Sequence, residues 1–133
     1  MLFVLSSLLS MAQNIKASIS NIRSAKGQIM ISVFKDNAGF QAQKAYKQFR
    51  FDKKDISNGS MTVNFGLEPG IYGIAMLDDE NKNGKMEKNF LGMPKEGFGF
   101  SNFYLTKLKK PTFDEFKVTL KAQDQVGIKV KYL

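Results

Sequence analysis

The chain reads as an all-β protein, a single antiparallel β-sandwich of about seven strands, and three observations carry that reading. Apolar side chains recur at period two through most of the sequence after residue 14, the spacing of strands with one buried face. Gly, Asn, Asp and Pro break the pattern at short intervals, as turns between short strands do. A length of 133 residues supports one hydrophobic core and leaves two cramped.

In chain order, Ile15, Ala17 and Ile19 alternate with Lys16, Ser18 and Ser20 in a first strand, 15–22, and Ser24-Ala25-Lys26-Gly27 forms the turn after it. Ile29, Ile31 and Val33 mark the inner face of a strand at 28–35. A helical turn is expected from Phe40 to Tyr46, where helix formers collect. Phe49 and Phe51 mark a strand at 47–52, and Met61, Val63 and Phe65 one at 60–66. In Leu67-Glu68-Pro69-Gly70-Ile71-Tyr72, Pro second and Gly third suit a type II turn, and Tyr72 can return its hydroxyl to the backbone as a corner clamp. The run Ile71 to Leu77 is apolar on both faces, which predicts a central strand at 70–77. Strands at 115–121 and 126–132 place Lys117, Lys121, Lys129 and Lys131 on one solvated face, where they discourage edge pairing. Residues 78–102 are left as a long loop.

The net charge is +8 and the pI about 9.7, which favours an anionic cell-envelope surface or polysaccharide as a partner. Cys, His and Trp are absent. That removes thiolate and imidazole catalysis, disulfides and the usual zinc ligands, so a metal would have to be held by oxygen. Nucleic acid is not expected, because the strand lysines are not interleaved with stacking aromatics. Residues 1–12, MLFVLSSLLSMA, are uncharged and end in small residues, which reads as a signal peptide with a truncated n-region ahead of a single domain at 13–133, the alternative being a buried first strand. The apolar run is too short to span a bilayer, so the mature chain is expected to be extracytoplasmic, in periplasm or medium, without a transmembrane segment.

Five of the 12 acidic residues, Asp78, Asp79, Glu80, Glu87 and Glu96, fall between residues 77 and 96. Counted from Asp79, the spacing Asp79, Asn81, Asn83, Gly84, Lys85, Glu87 matches positions one, three, five, six, seven and nine of a calcium loop. Alternate side chains of a tight turn converge, Gly84 permits the bend, and Lys85 offers its carbonyl. Position twelve is Phe90 rather than Glu, which rejects an EF-hand and leaves a weak strand-turn Ca²⁺ site, with Asp78 or Glu96 as additional ligands. The alternative reading of the same spacing is a polar hairpin tip without an ion, since Asp and Asn cap turns by bonding their own backbone.

After the acidic turn, Asn89 to Asn102 shows no clear strand period. Gly97 and Gly99 flank Phe98, so Phe98 and Phe100 either pack on the sheet or, with Asn102, form a ligand surface beside the acidic turn.

The block LDDENKNGKMEKNFLGMPKEGFGFSN, with LEPGIY ahead of it and KKPTFDEFKV behind, resembles the family designated domain of unknown function 2141 over nearly all of residues 15–131. Lys82 stands where that family usually has Gly, and Glu87 where it usually has Asp. The resemblance implies an exported bacterial β-sandwich and supplies no catalytic residue. The Leu67-to-Tyr72 corner is also similar to transthyretin-type sandwiches, within a broader transthyretin- or immunoglobulin-like architecture. Function is therefore read as a non-enzymatic binding or structural module, the alternative being a carboxylate- or metal-dependent hydrolase that uses Asp79, Glu87 and Glu96.

Overall fold

The computed structural model describes residues 13–84, 95–107, 109–121 and 124–133. The expected signal peptide at 1–12 lies outside the described residues. Eight strands and two short helices are present among them: β1 (Gln13–Ser20), β2 (Gln28–Phe34), α1 (Asn37–Gln41), β3 (Lys47–Asp52), β4 (Met61–Leu67), β5 (Gly70–Asp79), β6 (Gly97–Phe100), α2 (Phe113–Phe116), β7 (Lys117–Leu120) and β8 (Gln125–Lys129). They form a three-stranded sheet of order β4-β1-β8 and a five-stranded sheet of order β3-β2-β5-β6, with β7 also on β5. Among these pairings β1 with β8 is parallel and the others antiparallel.

The period-two residues meet between the sheets. Ile15, Ala17 and Ile19 of β1, Ile29, Ile31 and Val33 of β2, and Tyr72, Ile74 and Met76 of β5 share one buried cluster with Val126 and Ile128 of β8. Burying each Ile, Val or Met side chain among them stabilises the fold by about 1.5–3 kcal/mol. Tyr72 donates its hydroxyl to the Glu68 carbonyl at 2.7 Å, the expected corner clamp. Gly70, however, does not take the positive φ that the third position of a type II turn demands. The chain crosses there from one sheet to the other, and the Tyr72 ring lies 3.3 Å from where a Cβ on Gly70 would stand.

Four further expectations are corrected. The helical turn begins earlier than Phe40: Asp36 caps α1 by accepting from Gly39 N at 2.8 Å, and Gln43 at φ 57 turns the chain out of it. The strand expected at 115–121 begins at Lys117, because Thr112 and Glu115 first close a helical turn, Glu115 Oε1 accepting from Thr112 N at 2.8 Å. β7 and β8 belong to different sheets, so their lysines do not share one face. Finally, the loop at 78–102 contains a strand.

That strand, β6, alternates Gly and Phe. A Cβ on Gly97 would fall 2.3 Å from the Tyr132 ring and one on Gly99 would fall 2.6 Å from Ile128, so the inner positions must be bare where the C-terminal segment passes over them. The outer positions, Phe98 and Phe100, join Phe34, Phe40, Leu105, Phe113 and Phe116 in a second apolar cluster on the outside of the five-stranded sheet. Edge-to-face contacts of Phe40 with Phe34 at 5.3 Å and with Phe116 at 4.9 Å knit it together.

β6 and β7 lie end to end along β5, taking Ala75 to Asp78 and Gly70 to Gly73 respectively. Ser101 fills the junction. Its backbone N–H bonds the Ile74 carbonyl at 2.8 Å, its hydroxyl accepts from Ile74 N at 3.1 Å, and it donates to the Phe116 carbonyl at 2.7 Å. Ser101→Ala orphans two buried backbone groups, so we expect a loss of about 1–3 kcal/mol, read as a lower urea midpoint at unchanged m-value.

Candidate functional site

Of the predicted ligands, Asp78, Asp79, Asn81, Asn83 and Glu96 are described, and they lie near one rim of the sandwich, where β5 ends. Side chains alternate along a strand, and this sends the adjacent acids in opposite directions. Asp78 continues the inward row of Tyr72, Ile74 and Met76, whereas Asp79 lies on the outer face opposite Gln28 of β2.

Inward, Asp78 is fully buried and meets the equally inaccessible Lys53, which is 3% exposed. Among the described residues Asp78 Oδ1 has the Lys53 ammonium as its partner, and Oδ2 accepts from the Tyr132 hydroxyl at 2.6 Å. Lys53 also donates to the Ser24 carbonyl at 3.0 Å. Burial first, and the hydrogen bond to Asp78 second, push the Tyr132 phenol well above its ordinary value, which keeps it a donor. A second ring of charge lies outside this one. Arg23 grips Glu80 through Nε at 3.2 Å and Nη2 at 2.6 Å, its guanidinium sits 4.5 Å from the Tyr132 ring centroid, and Ser24 Oγ donates to Glu80 at 2.6 Å. The Arg23 hydrogen bonds hold the Glu80 carboxyl down at about 2. Glu96, the other additional ligand considered, is buried, and its Oε2 accepts from the Glu80 N–H at 3.1 Å.

Outward, Asp79 organises the turn. Its Oδ2 accepts from Gln28 Nε2 and from Gly84 N, both at 2.8 Å, and its Oδ1 accepts from Asn83 N at 3.3 Å. Asn81 Oδ1 accepts from the same Asn83 N–H at 3.2 Å. The two oxygens therefore converge on one atom. Gly84 takes φ 74, and Lys82 is driven to φ 57, a region that costs a non-glycine residue about 1–2 kcal/mol. The Arg50 guanidinium lies against Gly84, 3.1 Å from where a Cβ would stand. Lys85 and Glu87 lie outside the described residues, and no group of three or more acidic side chains able to hold a metal occurs among the described ones.

Phe98 and Phe100 are buried in the second apolar cluster rather than offering a surface. Asn102 pairs with β8, its N–H bonding the Gly127 carbonyl and its Oδ1 accepting from Gly127 N, both at 2.8 Å. Lys53, Tyr132 and Arg23 were not singled out from sequence as site residues. Parity could have found the first two: Lys53 follows Phe49 and Phe51 at period two, and Tyr132 follows Ile128 and Val130.

Two outcomes test this rim. Lys53→Met leaves a buried carboxylate without its cation and should cost about 3–5 kcal/mol, while Lys53→Met with Asp78→Leu should restore most of that loss, measured by chemical denaturation. The carboxyl of Glu80 lies below its ordinary value of about 4.5 in the folded chain. Its contribution is thus fully present above about pH 4.5 and lost as pH falls toward about 2. Arg23→Gln should flatten that acid limb in a stability–pH profile.

A sequence profile described as uncharacterized protein conserved in bacteria matches residues 17–128. No curated protein and no solved structure matches the chain. With most of both sheets inside the matched span, the chain belongs to the bacterial family designated domain of unknown function 2141.

Proposed function

We propose that this chain is an exported, non-enzymatic binding or structural module whose acidic turn is tied down by a weakly held Ca²⁺. The observation that supports the metal is the shared Asn83 N–H, approached by Asp79 Oδ1 at 3.3 Å and Asn81 Oδ1 at 3.2 Å. Two of the oxygens expected in a calcium loop are turned toward one point. The Asn83 side chain, the Lys85 carbonyl and the Glu87 carboxylate are the remaining donors of this reading. Asp78 and Glu96 are not needed for it, since Asp78 serves Lys53 and Glu96 serves the Glu80 N–H. The Arg50 guanidinium against Gly84 is a like charge beside the cation, which fits an affinity of about 10⁻⁴–10⁻³ M, as in extracellular calcium modules.

General acid catalysis by a carboxyl is served best by a pKa raised toward neutrality. Glu80 is instead held at about 2 by Arg23, which supports a static role for that carboxylate. Export is carried by the uncharged apolar run at residues 1–12. Among the described residues no helix is long and apolar enough to cross a membrane.

With Ca²⁺ at ten times its Kd, mass action adds about 1.4 kcal/mol, or roughly 4–6 °C in melting temperature for a chain of this size. Asp79→Asn should abolish the shift, and Arg50→Gln should tighten binding about two- to fivefold by removing a nearby cation. An unchanged melting curve in millimolar CaCl₂ removes the metal from this reading.

A further inference from the structure

At one end of the three-stranded sheet, beyond the row of Lys16, Asn64 and Gln125, several solvent-facing positions carry short hydroxyl side chains or none. Ser18 stands opposite Thr62 of β4 on one side and Gly127 of β8 on the other, and in the next row Ser20 stands beside Lys129. All five are exposed. Two walls rise from this floor: the β3–β4 connection through Asp55, and the segment after β6 through Tyr104. They bound a groove of about 900 Å³, within the size range of small-ligand sites.

The second wall is anchored by the paired hydrogen bonds between Asn102 and Gly127. Beyond it the Tyr104 ring is 40% exposed, with Lys129 Nζ 4.7 Å and Lys131 Nζ 5.0 Å from its centroid. One end of the groove is therefore cationic, in a chain of net charge +8. Because β1 is the middle strand, its backbone is already paired on both sides. A peptide cannot add to it as a strand, and recognition falls to side chains. A floor of hydroxyls with an acidic acceptor on the β4 side and two ammonium groups on the β8 side matches a polyhydroxylated ligand that carries a negative charge.

We propose that this groove binds an acidic oligosaccharide, its ring hydroxyls bonded to Ser18, Ser20, Thr62 and Asp55 and its carboxylate held at Lys129 and Lys131. The groove lies on the other sheet from the acidic turn, so it stands or falls separately from Ca²⁺ binding.

The test is titration of the isotope-labelled chain, in EDTA, with oligogalacturonate, with cello-oligosaccharide and with polyglutamate, followed by amide chemical shifts. The expected result is a response to oligogalacturonate centred on Ser18, Thr62, Gly127 and Tyr104. Lys129→Gln should weaken binding roughly three- to fivefold, as loss of one exposed charge contact does. Ser18→Gln fills the floor without touching the core and should abolish the response at an unchanged melting temperature. Silence of these amides overturns the proposal. So does equal binding of the neutral oligosaccharide, which removes the role of the charge, or the same shifts with polyglutamate, which removes the role of the hydroxyls.

Discussion

A lysine ammonium shut away from water must find an anion, and the rim of this sandwich is arranged around that requirement. Lys53, the first residue after β3, continues the inward parity of Phe49 and Phe51. Its anion comes from β5, where Asp78 holds the same inward parity. Such a pair contributes little net stability, because desolvation offsets the attraction. Its effect is positional: neither partner tolerates a slip of one residue, since that would bury one charge alone.

The C-terminal segment completes the arrangement by joining both sheets. Val130 N bonds the Ser20 carbonyl at the end of β1, Lys131 exchanges backbone hydrogen bonds with Phe98 of β6 at 2.8 and 3.0 Å, and Tyr132 reaches Asp78. The bare glycines of β6 follow from this crossing, because the chain of one sheet passes where side chains of the other would stand. Closing one edge of the sandwich in this way leaves fewer open strand edges to pair with other chains.

The acidic turn is then a consequence of the strand that feeds it. With Asp78 committed inward, Asp79 must face out, where Gln28 fixes one oxygen and the turn's own N–H groups come to the carboxylate. Glu80 is spent on Arg23 and Ser24, which fasten the β1–β2 connection to the base of the turn. Three consecutive acids thus have three partners of different kinds, although they form one acidic run in the sequence. The cationic residues are similarly divided, with Lys129 and Lys131 on Tyr104 and Lys117 paired to the exposed Asp114 at 3.1 Å, rather than on one common face.

The alternation of apolar residues by itself determined the two-layer architecture and most of the inner core, because burial of one strand face is a local property with a fixed period, and the Pro-Gly-x-Tyr corner marked the Tyr72 clamp. The calcium-like spacing likewise marked the turn at which Asp79 and Asn81 converge. β6 escaped because its inward residues are glycines, so its period is written in bare positions that a count of apolar side chains passes over. Which strands share a sheet, that β1 and β8 run parallel, and that the buried Lys53 and Asp78 meet the half-buried Tyr132 were decided only in three dimensions. These partners lie 25 to 79 residues apart in the chain, and a charge buried at that separation carries no local signature: its partner is defined by the packing of the sheets and by nothing next to it in sequence.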